Sequence, residues 1–483
     1  MQILHFKYCR RLRLSVCVCV YIKVQQNLEE LKGKYVLVPI DKAANNIGFV
    51  CKKYYYQVLE KELNSDTYEI CKTEAKKVTE ILTEKSCSMG VKVDDEQKDL
   101  PIIYVTPKMH KNPVKFRVIV ASKYCATKNI AKKLTSVLHL VNFVNKRYCD
   151  KIMLYTGIQR YWISDNNTQV LKNTEYINKK GNGRSIQTFD FSTLYTKIPL
   201  TDLKEKLKLI VDRAFKGGTN QYIKINKNQA RWSRNNKATT VTKEEVYDMI
   251  DFIIDNTYFR FGNVVYRQII GIPMGIDPAP PMANLYLHFY EFKYLEQLTK
   301  ENYGAAKLYN LICRFIDDLI VFNNRGHFAA NIEKIYPKEL KLNKENEDDS
   351  RATYLDLDLK IEDKHIITKT YDKRDAFKFE IVNYPDMNSN IPQNPAYGVI
   401  SSQLIRYVKT CSEKDDLIER LSMLIQKLKK KGYVAERISN TITKTMNRHT
   451  WIRKKHNIRV EEIIRAEIRN KHNIGIGEIM RAE

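Results

Sequence analysis

The sequence predicts an α+β fold, and three observations carry that expectation. Helix-like and strand-like segments alternate along the chain without the regular rhythm of repeated βαβ units. Its 483 residues are 43% hydrophobic and 10% aromatic, which reads as globular and leaves room for two to four domains around a large buried core. Strand-like runs such as "RFIDDLIVF" (314–322) are rich in β-branched and aromatic residues and too short for helices.

Charge narrows the class of partner. The chain has 82 Lys and Arg against 56 Asp and Glu, a formal +26. An excess of that size suggests a polyanion, because each phosphate neutralised releases counterions; solubility or histone-like non-specific binding is the plainer reading. The ten cysteines are scattered, apart from Cys17 and Cys19, and show no zinc-site spacing, which fits a reduced intracellular compartment.

The elements follow in order. Residues 1–25 mimic a secretion signal, with Arg10, Arg11 and Arg13 before "LSVCVCVYI", but Lys23 ends the apolar stretch short of the ~18 residues a bilayer needs. They are expected to be an ill-defined leader, and no membrane association is expected. "YVLVPIDKAANNIGFVC" (35–51) predicts two strands around a polar turn, with Asn45 and Asn46 as turn formers. A helix pattern follows from about Lys52. "LPIIYVTPKMHKNPVKFRVIVAS" (100–122) holds two extended pieces, the second of which aims Lys115 and Arg117 to one face. That face is either a phosphate clamp or a solvated edge strand.

In "QTFDFSTLYTKIP" (187–199), Phe189 and Phe191 share one strand face and Asp190 takes the other, just where the strand hands over to a helix carrying Leu203, Leu207, Ile210 and Ala214. Asp190 is either a catalytic carboxylate or a capping residue. Residues 216–243 read as a polar surface insertion. A Gly-Pro-Gly turn, Gly271, Pro273 and Gly275 with Met274 inside it, then feeds a helix whose Met282, Leu285, Phe289 and Phe292 form an apolar stripe. The glycines allow close backbone approach to a ligand such as a template strand. Near the end, "KHNIRVEEIIRAE" (455–467) recurs as "KHNIGIGEIMRAE" (471–483), an appended duplication expected to form a charged helix.

Asp317 and Asp318 stand side by side in an apolar run, where repulsion and desolvation both cost free energy. A metal ion or an exposed hairpin tip resolves that cost. If the strand ends bearing Asp190 and Asp317 meet in one antiparallel sheet, their carboxylates converge on a site suited to Mg²⁺, which takes oxygen ligands and keeps several waters.

The blocks "PKMHKNPVKFRVI", "FDFSTLYTKIP", "GIPMG…ANLYL…YE" and "RFIDDLIVF", in this order, resemble the reverse transcriptases of retroelements, most closely the Penelope-like group. The resemblance covers roughly 30–445; "VPIDKAANNIGFV" is similar to that group's upstream DKG-type segment, and "YLDLDLKI…ITKTYDKRDAF" to its hairpin and following segment. It implies a right-hand polymerase of fingers, palm and thumb, with an antiparallel palm sheet packed on helices. The implied domains are a leader (1–25), an N-terminal extension (26–99), fingers and palm (100–345), a primer-grip hairpin region (346–385), a helical thumb (386–450) with "IQKLKKKGY" holding the duplex, and a charged tail (451–483).

The same resemblance implies roles for single residues. Asp190 and Asp317, with Asp318 beside them, would hold two Mg²⁺ ions, Mn²⁺ being an alternative, and the Phe191 carbonyl is a further ligand candidate. Lys115 and Arg117 would grip the triphosphate, and Tyr195 would lie under the sugar and exclude a 2′-hydroxyl. Gly271, Pro273, Met274 and Gly275 would flank nucleotide and template, while Lys344 falls near a lysine that assists pyrophosphate departure. The implied partners are an RNA template, a DNA primer and deoxynucleoside triphosphates, and the implied location is intracellular, with synthesis in the cytoplasm and action in the nucleus.

Three readings stay open: an RNA-directed DNA polymerase, a decayed nucleic-acid-binding remnant of the same fold, and an RNA-dependent RNA polymerase, against which Tyr195 speaks. Ile276, Asp277 and Pro278 stand where relatives more often carry small polar residues. Neither a GIY-YIG nuclease segment after residue 445 nor a ribonuclease H constellation is found, which fits a decayed or truncated element copy that retains the polymerase core.

Overall fold

Strict alternation of side chains in "IQTFDF" and "DLIVF" builds the centre of the molecule. In the computed structural model, which describes residues 29–216, 221–226, 229–237 and 239–467, four antiparallel strands lie in the order Ile312–Phe315, Asp318–Phe322, Ile186–Phe191, Leu342–Lys344. Phe189, Leu319 and Val321 face one way, into the main core, and Ile186, Ile320 and Phe322 face the other. The first face is covered by the helices Lys128–Thr156, Leu200–Lys216, Lys243–Asp255 and Ala279–Glu301. On the second lie the helix Thr168–Lys179 and a three-stranded sheet, Arg351–Tyr354, Leu357–Glu362 and His365–Thr370. The fold is therefore α+β, with antiparallel sheets packed on helices. The expected leader, 1–25, and the second copy of the tail repeat lie outside the described residues.

The two extended pieces of 100–122 are the strands Ile102–Lys108 and Lys115–Ala121, the latter at the edge of a five-stranded sheet. The N-terminal strands Tyr35–Ile40 and Ala43–Cys51 form a hairpin, but its turn is Asp41 and Lys42 alone, since Ile40 already pairs with Ala43. Asn45 and Asn46 are thus strand residues and not turn formers. Their amides serve a distant segment instead: Asn46 Nδ2 donates to the Glu380 carbonyl at 2.9 Å and its Oδ1 accepts from Val382 N at 3.0 Å, while Asn45 Nδ2 donates to the Val382 carbonyl.

Within the stretch expected as a polar surface insertion, 216–243, Gln229–Ser233, Tyr222–Asn226 and Thr240–Val241 form a small sheet that buries Ile223 and sets Trp232 edge-on to Phe215. A Thr242–Glu245 capping box then opens the next helix. At the C-terminal side, Gln393–Thr410, Lys414–Lys429, Ala435–Arg448 and Trp451–His456 share one core that includes Ile452, Ile458 and Ile463. The helical unit therefore runs past the boundary expected at 450, because apolar residues at helical spacing continue into what composition marks as a charged tail. No described helix is long and apolar enough to cross a membrane.

Candidate active site

Asp190 and Asp318 are direct partners across antiparallel strands, so their side chains emerge on the same face of the central sheet. Asp317 sits at the hairpin tip one residue earlier, its carbonyl accepting from Phe191 N at 3.4 Å. All three carboxylates are half-buried. Burial and the Asp317 charge, reinforced by Glu345, push Asp190 up to about 6. Asp318 is pushed up to about 7 by burial, with the charges of Asp317, Asp190 and Glu345 adding to it. The cluster is thus held in electrostatic tension that a cation would release.

The positive charges nearest this cluster come from several elements. Lys373 opposes the shift of both Asp190 and Asp318, and Lys108 that of Asp190. Burial and the Arg117 charge pull the Lys108 pKa down. Of the two fingers cations expected from sequence, Lys115 is exposed, and Arg117 reaches back 3.2 Å to buried Asp41 at the N-terminal turn. Lys42, Lys108 and Lys373 were not singled out from sequence. Only their long-range neighbours make them notable, and no local pattern signals that.

The Gly-Pro-Gly turn serves the protein's own backbone before any ligand. A Cβ on Gly271 (φ +80°) would stand 2.2 Å from the Tyr195 carbonyl oxygen, and one on Gly275 (φ +116°) 2.3 Å from that of Val120. The close approach shown to demand a glycine at both positions is to the protein's own backbone. Ile272 N donates to the Tyr195 carbonyl at 2.7 Å and Val120 N to that of Met274 at 2.7 Å. Pro273 is buried and Met274 half-buried between these anchors. The turn therefore ties the segment after Asp190 to the strand carrying Arg117. Asp277 is ion-paired to Lys128 at 2.7 Å, and Pro278 precedes the helix start, so the unusual "IDP" is accommodated.

Tyr195 is half-buried against the main core, and burial with the Asp317 charge raises its pKa well above the ordinary phenol value. Core packing and proximity to the carboxylates are both true of it. Phe191 turns its ring inward onto Tyr336, 5.0 Å between centroids, leaving only its main chain on the site's side. Lys344 lies on the neighbouring strand opposite Phe189, and its ammonium is 2.6 Å from Asp349, so serving a leaving group would first break that pair.

One supporting residue lay unread inside the quoted motif. Arg314 is wholly buried, ion-paired to buried Glu291, and donates to the carbonyls of Asn284 and Ile316. Ile316 has φ 56°, a left-handed conformation that a β-branched residue rarely adopts, and it directly precedes Asp317. Arg and Glu in "RF" and "YE" were the available signal.

Among the described residues, no three His, Cys, Asp or Glu side chains converge tightly enough to hold an ion by themselves. Magnesium sites built on one or two carboxylates plus substrate phosphates need no such cage. The donor chemistry of the Asp cluster, all oxygen and mutually repulsive, fits that kind of ion.

No protein-family model matches the chain, and no curated protein matches it. Solved structures do. Telomerase from Candida albicans in complex with a fragment of telomeric RNA aligns over 93% of this chain and 72% of its own, with a TM-score of 0.60 and 12% identity. Telomerase from Candida tropicalis, also with a telomeric RNA fragment, aligns over 91% and 68%, with a TM-score of 0.50 and 11% identity. The chain thus has a reverse-transcriptase-like polymerase fold.

Proposed function

We propose that the chain is an RNA-directed DNA polymerase of a retroelement of the Penelope-like kind, transferring nucleotides to a DNA primer on an RNA template. The observation that carries this reading is the pairing of Asp190 with Asp318, with Asp317 at the adjoining tip, inside a fold shared with telomerase. The RNA in the neighbours' complexes and the +26 charge of this chain support an RNA template. A nuclear site of action belongs to the same reading.

In this mechanism Asp190, Asp317 and Asp318 would hold two Mg²⁺ ions, or Mn²⁺ in their place, and the chemistry such ions would supply there is activation of a 3′-hydroxyl and charge stabilisation of the leaving pyrophosphate. Arg117, steadied by Asp41, and Lys115 draw the triphosphate toward the fingers strand. The Gly271–Gly275 turn keeps that strand and the Tyr195 segment in one frame, so that sugar and phosphates are positioned together. Tyr195 then lies beside the sugar and selects against a 2′-hydroxyl.

The test is primer extension by purified protein on homopolymer RNA with a DNA primer and Mg²⁺ or Mn²⁺. Extension by the wild type and none by Asp317→Ala is the expected result. Equal rates in the two would overturn the assignment, and absence of extension with retained duplex binding would favour a decayed scaffold.

A further inference from the structure

Two segments whose chemistry the polymerase reading leaves unused are brought together beside the Asp cluster. One is the hairpin turn Asp41–Lys42. The other is the stretch after the last strand of the three-stranded sheet, which begins with the short 3₁₀ turn Lys373–Ala376 and continues irregularly to Val382. Asn46, 4% exposed, clamps the two by its paired hydrogen bonds to Glu380 and Val382. His110 adds an edge contact to Phe377, 6.0 Å between ring centroids. Segments more than 330 positions apart are therefore tied together by three hydrogen bonds between asparagine side-chain amides and main chain, which a casual surface contact would not need.

The charges around this clamp are sorted in a telling way. Asp372 is bound by Arg374, and Asp375 by Arg420 and Lys427. Asp41 is taken by Arg117. Lys373, between Asp372 and Arg374 in sequence, and Lys42, directly after Asp41, have no ion pair or side-chain hydrogen bond among the described residues. Burial, then the Lys373 charge, lower the Lys42 pKa, and Asp318 acts on Lys42 in the opposite direction. Lys42 also stands in the left-handed region, φ 63°, a conformation that costs a non-glycine residue free energy and is tolerated where surroundings impose it. Two cations without a protein partner among the described residues, one next to the Asp41 that binds Arg117 and the other on the segment clamped to the same hairpin, suit a ligand that carries negative charge.

Resting on the polymerase reading, we propose that Lys42 and Lys373 form a second grip on the polyphosphate of the incoming nucleotide, beside Arg117 and its partner Asp41, with Asn46 as the positioning residue that holds the two segments together. The grip spans the N-terminal hairpin and the segment entering the helical unit, so nucleotide binding would draw both toward the site.

The experiment measures binding of inorganic tripolyphosphate to the full chain by calorimetry, without primer or template, and in parallel the affinity for RNA-DNA duplex. Lys42→Gln and Lys373→Gln should each weaken tripolyphosphate binding about tenfold, the loss of one charged hydrogen bond, with duplex affinity and melting temperature unchanged. Asn46→Ala should weaken it in the same direction, and the two lysine variants keep the test valid if that protein folds poorly. Unchanged tripolyphosphate binding in the double lysine variant overturns the grip, as does an equal loss of duplex affinity, which would mark a general basic patch. Tighter or weaker Mg²⁺ binding with no change for tripolyphosphate also overturns it, because the lysines would then be counter-charges to the carboxylates. None of these outcomes depends on catalysis: a chain that fails to extend primers yet loses tripolyphosphate affinity in these variants refutes the polymerase reading and keeps the grip.

Discussion

Arg314 is buried flat against Glu291, its Nε 2.5 Å from Oε1 and its Nη2 3.1 Å from Oε2, and the same guanidinium holds the Ile316 carbonyl at 3.0 Å. The pair fastens the carboxylate hairpin to the helix behind it. Removing one member leaves a buried charge without its counterpart, so Arg314→Leu should cost about 3–5 kcal/mol in urea unfolding. Arg314→Met combined with Glu291→Leu should recover most of that stability, yet primer extension should stay low because the left-handed Ile316 loses its donor. A double variant with wild-type extension would show that the pair serves stability alone.

The Asp cluster predicts an unusual pH response. Asp190 and Asp318 are raised to about 6 and about 7, above the ordinary carboxylate value, so the folded chain binds more protons than the unfolded one between that value and pH 7. Stability from these groups is therefore full in acid and lost as pH rises through 6 to 7. Asp318→Asn should melt higher than the wild type at about pH 8, with the gain shrinking to nothing by about pH 4. Mg²⁺ should raise the melting temperature of the wild type at the higher pH more than that of the variant. A gain independent of pH would mean that repulsion is not its source.

Gly271 admits no side chain. In Gly271→Ala the new methyl would meet the Tyr195 carbonyl at 2.2 Å, in a positive-φ conformation as well. The expected loss is more than ~1 kcal/mol of stability, with extension falling further than stability explains. Unaltered melting and extension would show that the turn relaxes freely.

The proposed place of Tyr195 beside the sugar is tested by one substitution. Tyr195→Val should fold and incorporate ribonucleotides more readily than the wild type, because discrimination is a difference in transition-state binding between the two sugars. If the ring is core alone, the variant should instead lose roughly 3–5 kcal/mol with sugar choice unchanged. Incorporation ratios measured alongside melting decide between these.

The lysine run of "IQKLKKKGY" is less available to a duplex than its composition implies. Lys427 is paired with Asp375, Lys429 with Glu467 at 2.7 Å, and Lys431 lies 3.9 Å from Glu380, leaving Lys430 unpaired among the described residues. Lys430→Ala should therefore lower the salt dependence of duplex binding by about 0.9 in log–log slope if it meets one phosphate. Substituting Lys429, Lys430 and Lys431 together should add little to that change. A much larger drop for the triple variant would mean that the ion pairs open on binding.

Local pattern carried the elements that depend on local physics. Alternation placed Phe189 and Phe191 opposite Asp190, and helical spacing marked Leu203, Leu207, Ile210 and Ala214, all of them buried. Where competing forces are non-local, pattern misled: Asn45 and Asn46 look like turn residues because their side chains often bond nearby backbone, yet here they bond an irregular segment far along the chain. The small sheet in 216–243 escaped for a related reason, since its strands are stabilised by Ile223 and Trp232 packing and not by strong alternation.

By itself, the sequence determined that the chain is basic, α+β, and carries Asp190, Asp317 and Asp318 at the ends of strand-like runs, because charge, periodicity and residue type are properties of short stretches. Only the tertiary structure decided that Asp190 faces Asp318 across one sheet, that Gly271 is reserved for the Tyr195 backbone, and that Arg314 supports the tip. It alone also brought Asn46 to the main chain of Glu380 and Val382. Those relations arise from strand register and long-range closure, whose energies depend on which distant segments pack together and are written in no single stretch of sequence.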